Sequence, residues 1–283
     1  MKDVFNIVIS IDGLDGVGKT TFAKNLNSSL NEAIQREEHG QDFRIIYQHF
    51  PRYETRYGKE ILYILKNEDL NDVDVLDRLI LDFVKDREEF WELFNTLYST
   101  GDKKVNILIA DRYRISNLIY NSWRLLPRYK DIKEVYDDMT RNENKYNVKL
   151  EDIPVIMVGS RKMRETRLNQ RSTLDQNEKD QVQESLENSL MDILKYNVIE
   201  DPLIVLADEL DFSFSSFNGS TKDKLNLARD FNIFYENYVI SRLNKVARKL
   251  GIYYEKDLFK EPFQNSTDTV IYDILTRYKL DMR

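Results

Sequence analysis

The feature that most constrains this chain is a glycine-rich segment between a short apolar run and a helical one. Gly13 to Thr20 matches the pattern G-x-x-x-x-G-K-[ST], in which inward-turned backbone N–H groups and a lysine cradle phosphate. Phe5 to Ile11 predicts the strand before it, and the following helix adds positive potential at its N-terminus. The sequence therefore predicts a nucleotide-phosphate site built from Gly13, Gly16, Val17, Gly18, Lys19, Thr20 and Thr21.

Short apolar runs recur along the chain with long helical stretches between them. Their apolar character is continuous rather than alternating, which is typical of strands covered on both faces. We therefore expect an α/β fold with a five-stranded parallel sheet flanked by helices, and chemistry at the carboxyl ends of the strands. The predicted strands are Phe5 to Ile11, Phe43 to Tyr47, Val105 to Ala110, Val155 to Val158 and Ile252 to Tyr254.

Composition excludes several classes of protein. The 283 residues carry 42 basic and 49 acidic side chains, a net charge of −7, which argues against general binding to nucleic acid or anionic membranes. The absence of cysteine excludes disulfides and cysteine nucleophiles. No apolar run approaches the roughly 20 residues that span a bilayer, and the N-terminus does not resemble a signal sequence. We expect a cytoplasmic protein.

A second cluster of polar residues follows the third predicted strand. Asp111 at the strand end is placed to hold Mg²⁺, and Arg112 to neutralise phosphoryl oxygens during transfer. Asn117 and Tyr120 share one helical face and can point into the same crevice, close to Ser116. The alternative is a surface ion pair between Asp111 and Arg112, with the asparagine as a helix cap.

Two further features flank the sheet. Phe50-Pro51-Arg52-Tyr53 forms either a rigid elbow that presents its aromatic rings to a ligand or a turn with core aromatics. The apolar stripe of a helix predicted from about Val73 to Tyr98 contains Arg87. Because arginine is rarely buried without a partner, an anionic or acceptor-rich group should face it.

Four arginines follow the fourth predicted strand at spacings of three, three and four, which places them on one helix face. Such a stripe is either a solvated face or part of a lid, over about residues 160 to 178, that closes on a triphosphate. We favour the lid. The four residues are Arg161, Arg164, Arg167 and Arg171.

The C-terminal third carries fewer signals. Residues from about 197 to 224, including a strand-like run from Leu203 to Ala207, are interpreted as an insertion or elaborated loop. A helix is predicted from about Leu225 to Leu250, where Gly251 suits a C-terminus, and a capped helix from Ser266 to Tyr278. We expect a single domain over residues 1–283.

Taken in order, these motifs resemble the thymidylate kinase family, which phosphorylates dTMP with ATP. The resemblance covers roughly the first 195 residues. It is carried by the phosphate loop with its internal acid, the elbow, the long helix with its Asp-Arg pair, the strand-end Asp-Arg-Tyr and the arginine-rich lid. Its motifs are Gly13 to Thr20, Phe50 to Tyr53, Asp86-Arg87, Asp111 to Tyr113 with Ser116-Asn117 and Tyr120, and the lid ending in Leu174-Asp175.

The resemblance implies roles for individual residues. Asp15 would meet the 3′-hydroxyl of the acceptor, Phe50 would stack on the base, and Tyr53 would lie by the sugar and phosphate. Arg87 would donate to O4 of thymine and Asn117 would accept from N3–H, which favours dTMP over dCMP because cytosine presents a donor at that edge. Arg52, Arg112, Ser116 and Tyr120 complete the expected acceptor site.

The expected cofactors are ATP and Mg²⁺, the latter held by Thr20 and Asp111. Catalysis would rest on Lys19, Arg112, Asp15, Arg167 and Arg171, which position the reactants and neutralise charge. The family also implies a homodimer. Asp12 stands where the family usually has glutamate, a conservative change. We assign no catalytic role to His39 or His49.

Several alternatives stay open. The acceptor could be dUMP or a 5-substituted pyrimidine nucleotide, and the extra length of the chain is compatible with a phage or other viral origin. A deoxynucleoside kinase acting on thymidine would need a carboxylate base, whereas Arg52 and Arg56 favour a monophosphate. A regulatory ATPase would hydrolyse ATP without an acceptor, but this alternative assigns no role to Arg87, Asn117 or Tyr120.

Overall fold

Five parallel strands form one sheet in the order β2-β3-β1-β4-β5, which confirms the predicted fold class. The computed structural model describes residues 4–36, 40–98, 104–170, 180–211 and 220–250. Four strands coincide with predicted apolar runs within a few residues. The strands are β1 Phe5–Gly13, β2 Phe43–His49, β3 Val105–Asp111, β4 Ile153–Val158 and β5 Leu203–Leu206.

Helices connect the strands and cover the sheet, so β3 and β4 are buried along their whole length. The 26-residue helix was predicted with its observed bounds, because its apolar stripe is long and regular. The helices are α1 Lys19–Arg36, α2 Arg56–Asn67, α3 Val73–Tyr98, α4 Arg114–Leu125, α5 Ile132–Lys145, α6 Arg161–Leu168, α7 Asp180–Lys195, α8 Ala207–Leu210 and α9 Thr221–Lys249.

The register of the central strands brings polar residues to one edge. Asp111, the last residue of β3, lies opposite Ile11 of β1 on one side and His49 of β2 on the other. Because all strands are parallel, their carboxyl ends meet at this edge. The phosphate loop and the motif after β3 are therefore neighbours.

The segment from about 197 to 224 contributes to the sheet itself. It contains β5, which pairs with β4, and the short helix α8 that follows directly. Ser220 then caps α9 in a reciprocal box with Asp223. The strand predicted at Ile252 to Tyr254 and the helix predicted at Ser266 to Tyr278 lie outside the described residues. None of the described helices has the length and apolar character needed to cross a membrane.

A buried ion pair fastens α4 to the loop before β4. Arg114 and Glu151 have almost no exposed surface and bind each other through two guanidinium nitrogens. Arg114 also donates to the hydroxyls of Thr140 and Tyr136 at 2.7 and 3.0 Å, both on α5. This one arginine therefore connects three segments of the chain.

Removing the carboxylate should destabilise the fold strongly. Glu151→Ala leaves a buried guanidinium without its counter-charge, so the free energy of unfolding should fall by about 3–5 kcal/mol. The matched control is Glu165→Ala, which removes the exposed pair with Arg161 and should cost less than about 1 kcal/mol. Urea unfolding of both variants measures the difference, and equal losses would contradict this role for Arg114.

Candidate active site

The phosphate loop joins β1 to α1 at the carboxyl edge of the sheet. All three of its glycines have backbone conformations that other residues rarely adopt, with φ of 142° at Gly13, 82° at Gly16 and 95° at Gly18. A Cβ at Gly13 would lie 2.3 Å from the carbonyl oxygen of Met157, and one at Gly16 would lie 2.9 Å from that of Arg164. The loop can therefore follow this path only with glycine at these positions.

Lys19 folds back onto the phosphate loop. Its Nζ donates to the carbonyl oxygens of Gly13 and Leu14 at 3.0 and 2.6 Å and lies 3.6 Å from Asp15 Oδ1. The side chain is only 4% exposed. Burial, with the nearby charge of Arg112, lowers the pKa of Lys19 to about 7 against the opposing effect of the surrounding carboxylates. The ammonium is thus held at the loop, where a phosphate can take over its contacts.

A cavity of about 380 Å³ opens beside this loop. It brings together six of the seven residues predicted to contact nucleotide phosphate, the exception being Gly13, which only starts the loop. Two arginines from other parts of the chain also line it. The lining residues are Asp15, Gly16, Val17, Gly18, Lys19, Thr20, Thr21, Phe22, Asn25, Arg112, Met157, Arg167, Ala207 and Leu210.

Asp15 and Arg112, which both line this cavity, form an ion pair. Burial alone would raise the pKa of Asp15, but the charges of Arg112 and Lys19 hold it well below its usual range. The Arg112 guanidinium also lies 5.8 Å from the ring centre of Tyr120. Three residues predicted for the acceptor site therefore meet at one point.

Two strand-end aspartates each have one oxygen engaged by the protein and one left over. Asp111 Oδ2 accepts from Tyr47 at 2.9 Å and lies 3.1 Å from His49 Nδ1. Asp12 Oδ1 accepts from the backbone of Tyr113 and from both the backbone and hydroxyl of Ser116. The other oxygens, Asp111 Oδ1 and Asp12 Oδ2, are buried and have no hydrogen bond within the described part of the chain.

The leftover oxygen of Asp111 fits a magnesium ion. Burial would raise the pKa of Asp111, but His49 and the neighbouring Thr20 hydroxyl keep it below the usual range, so the carboxylate is charged. No group of three or more metal-binding side chains occurs among the described residues. Mg²⁺ is commonly held by one or two carboxylates together with water and substrate phosphates, and Asp111 with Thr20 provides such a partial site.

The elbow after β2 is packed differently from what the resemblance implied. Phe50 is only 2% exposed, and its ring packs edge-on against Phe90 and Tyr113 at centroid distances of 5.1 and 5.4 Å. Phe50 is therefore a core residue here, with no face open for a base. Tyr53 remains exposed.

The arginine of the elbow is engaged within the protein. Arg52 Nε lies 3.0 Å from Asp86 Oδ1, and its backbone N–H donates to Oδ2 of the same residue at the same distance. Its Nη2 reaches the backbone oxygen of Asp86 at 2.6 Å. The Asp-Arg motif on α3 thus uses its aspartate to anchor the elbow, and Arg52 is buried rather than directed at a substrate.

Arg87 has the anionic partner that its position on an apolar stripe predicted. It is 1% exposed, and its Nε and Nη2 bind the two carboxylate oxygens of Glu143 on α5. Among the other predicted acceptor residues, Ser116 binds Asp12. Asn117 is buried, and its Nδ2 lacks a hydrogen-bond partner in the described structure.

The arginines of α6 have three different environments. Arg164 is buried and binds Gln183 and Glu187 of α7, whereas Arg161 is exposed and pairs with Glu165. Arg167 directs its guanidinium to the phosphate loop, donating from Nη1 to the Gly16 carbonyl oxygen at 2.8 Å. Arg171 lies outside the described residues.

Sequence reasoning missed the contribution of the segment after β5. Ala207 and Leu210 line the cavity, and Asp208 binds the backbone N–H and hydroxyl of Ser160 at the start of α6. Asp211 accepts from Arg167 Nη2 at 2.7 Å. The available signal was the strand-like run at Leu203, because a strand end in this sheet lies at the phosphate edge.

Comparison with known proteins identifies the family. The family model described as thymidylate kinase matches residues 11–203, which include the phosphate loop, α3, the strand-end motif and the start of β5. The chain belongs to the thymidylate kinase family. It is therefore a nucleotide kinase that acts on dTMP, and neither a thymidine kinase nor an acceptor-free ATPase is favoured. Members of this family take ATP as donor and usually require Mg²⁺.

Solved structures of two thymidylate kinases are similar to this chain at low identity. The enzyme from Candida albicans is 17% identical, with 90% of this chain and 98% of that one covered and a TM-score of 0.48. The enzyme from Ehrlichia chaffeensis is 18% identical, with 71% and 91% covered and a TM-score of 0.45. No curated protein sequence matches the chain.

The contrast between two arginines on α6 gives a direct test of the thymidylate kinase site. Arg167→Ala removes the cation that lies over the phosphate loop, so kcat/KM for ATP should fall by about 10²-fold or more. Arg161→Ala, which removes an exposed arginine of the same helix, should change it by less than about twofold. Steady-state kinetics with dTMP as acceptor measure both. Similar losses in the two variants would show that Arg167 has no special role.

Proposed function

We propose that this protein transfers the γ-phosphoryl group of Mg-ATP to the 5′-phosphate of dTMP. The bond between the γ-phosphorus and the β–γ bridging oxygen breaks, and a dTMP phosphate oxygen forms the new bond, giving ADP and dTDP. The observation that carries the proposal is the Asp15–Arg112 pair in the lining of the phosphate-loop cavity. Asp15 lies in the loop and Arg112 beside the crevice, so the pair marks where donor and acceptor meet.

On the donor side, cationic side chains surround the proposed binding site of the triphosphate. The backbone N–H groups from Gly16 to Thr20 and the N-terminus of α1 receive its phosphates. Lys19 exchanges its loop carbonyl contacts for phosphate oxygens, and Arg167 is already at the loop. Magnesium, held by Thr20 and Asp111, would neutralise phosphate charge. Arg171 is proposed to join the lid.

On the acceptor side, Arg112 lines the donor cavity and also lies next to Tyr120, beside the crevice proposed for the acceptor. Its guanidinium is held in place by Asp15, so it can bind both the transferred group and the dTMP phosphate without reorganising. The resemblance assigns the 3′-hydroxyl to Asp15. Because transfer of this kind needs positioning and charge neutralisation rather than a covalent intermediate, no nucleophilic side chain is required.

The pyrimidine edge is proposed to meet Arg87 and Asn117. Glu143 occupies Nε and Nη2 of Arg87, which leaves Nη1 for O4 of thymine. The Asn117 carboxamide is buried with its Nδ2 unpaired. Its oxygen is proposed to accept from N3–H, and Nδ2, a donor, can complete its hydrogen bonds with an acceptor of the ligand. Cytosine would place its 4-amino donor against the arginine and lose this contact.

The acceptor is tested by ADP release from Mg-ATP with no acceptor, dTMP, dUMP, dCMP, dGMP or thymidine. We expect strong stimulation by dTMP and a rate with dCMP lower by about 10²-fold or more, because a mismatched donor is left facing Arg87. Stimulation chiefly by thymidine would replace this proposal with a nucleoside kinase. A rate that no acceptor raises above the ATP-only background would replace it with a regulatory ATPase.

We further propose a cytoplasmic homodimer that associates through α3. Leu93 and Leu97, four residues apart on this helix, are 53% and 54% exposed, and adjacent exposed leucines favour burial against a partner.

The dimer proposal predicts a change of mass on mutation. Wild-type protein should sediment at twice the chain mass, and the double variant Leu93→Glu/Leu97→Glu at the chain mass, because two charges would be buried in the interface. Leu225→Glu changes an equally exposed leucine on α9 and should leave the dimer intact. A monomeric wild type would overturn the proposal.

A further inference from the structure

The orientation of Asp111 is determined by two residues of the neighbouring strand. His49 lies directly opposite Asp111 in the parallel register of β2 and β3. Tyr47, two residues earlier, points to the same face of its strand because side chains alternate along a strand. Both reach the same carboxylate oxygen, Oδ2, at 3.1 and 2.9 Å.

The two contacts on Oδ2 also determine how the Asp111 carboxylate is oriented. An aspartate carboxylate can rotate about its last bond, so an unrestrained one presents either oxygen. Two contacts on Oδ2 fix the plane of the group and leave Oδ1 outside both contacts, with the Thr20 hydroxyl neighbouring the same carboxylate. Oδ1 is buried and without a hydrogen bond in the part of the chain described. A buried carboxylate oxygen kept unpaired is costly unless a ligand completes it.

We propose that Tyr47 and His49 are positioning residues that orient Asp111 so that Oδ1 faces the magnesium ion of the bound nucleotide. The inference rests on the proposed function, because it deepens the metal site assigned there to Thr20 and Asp111. The tyrosine hydroxyl donates to Oδ2, and the His49 imidazole does the same when Nδ1 carries its proton. Partners that orient a metal ligand in this way typically contribute 10–100-fold to metal affinity.

The two residues also differ in a useful way. Tyr47 belongs to the sheet and packs against its core, whereas the His49 side chain is 35% exposed. Replacing His49 therefore disturbs little packing, and Tyr47→Phe removes only the hydroxyl. The two variants each remove one contact to the same carboxylate oxygen. We expect the His49 variant to leave the stability of the fold unchanged.

The test uses Mn²⁺ as a paramagnetic probe for the magnesium site, with the full-length protein and a non-hydrolysable ATP analogue. Electron paramagnetic resonance gives the Kd of the ion in the ternary complex without any acceptor or turnover. We expect Tyr47→Phe and His49→Gln each to raise this Kd by about 10-fold or more. Binding of the analogue in EDTA should be unchanged, because neither residue lines the phosphate cavity.

The matched control is Tyr129→Phe. Tyr129 makes a tyrosine–aspartate hydrogen bond of nearly the same length, 2.8 Å to Asp138, between the turn before α5 and that helix. Its loss should leave the Kd of Mn²⁺ unchanged, so a general effect of losing such a bond is separated from an effect on Asp111.

The outcomes separate this inference from the proposed function. Unchanged Mn²⁺ affinity in folded His49→Gln and Tyr47→Phe would overturn the inference while leaving dTMP phosphorylation intact. A wild-type protein that holds Mn²⁺ with the analogue, with both variants weakened, supports the inference even if dTMP fails as acceptor. A wild-type complex that binds the ion no more tightly than the analogue alone would overturn it together with the metal site.

Discussion

The parallel register of β1, β2 and β3 is the constraint on which the rest of the site depends. It brings the ends of three strands to one edge, so that the phosphate loop, Asp111 and His49 become neighbours although they are far apart in sequence. None of these groups could bind a nucleotide alone. Because parallel strands are joined by helical crossovers, α1 and α4 begin shortly after β1 and β3 end, which places Lys19 and Arg112 at the same edge.

This arrangement brings several charged side chains close together, and the protein neutralises them in ion pairs. Lys19 and Arg112 stand against Asp15, and Arg167 stands against Asp211. A triphosphate adds anions to this arrangement, so its arrival allows the cations to exchange carboxylate and carbonyl partners for phosphate oxygens. The cations are then already in place before the substrate enters, which lowers the reorganisation needed for transfer.

The sequence predicted those parts of the molecule whose signals are local. The phosphate loop, four strands and α3 each carry a pattern within one short segment, and they fold as expected. The partners of the buried arginines could not be found in this way. Glu143 lies 56 residues from Arg87 and Asp86 lies 34 from Arg52, and no local pattern reports such a pairing. The packing of Phe50 could not be found for the same reason, since the rings that enclose it come from α3 and from the residue before α4.

The segment after residue 197 contributes more to the fold than its weak sequence pattern indicates. Its strand is only four residues long, too short for periodicity to distinguish it from a loop. Yet it completes the sheet, and the residues that follow it reach both ends of α6 through Asp208 and Asp211. Arg167, the arginine at the phosphate loop, is therefore held from two sides, by the Gly16 carbonyl and by this segment. A region that resembles an insertion in sequence is, in the fold, a wall of the nucleotide site.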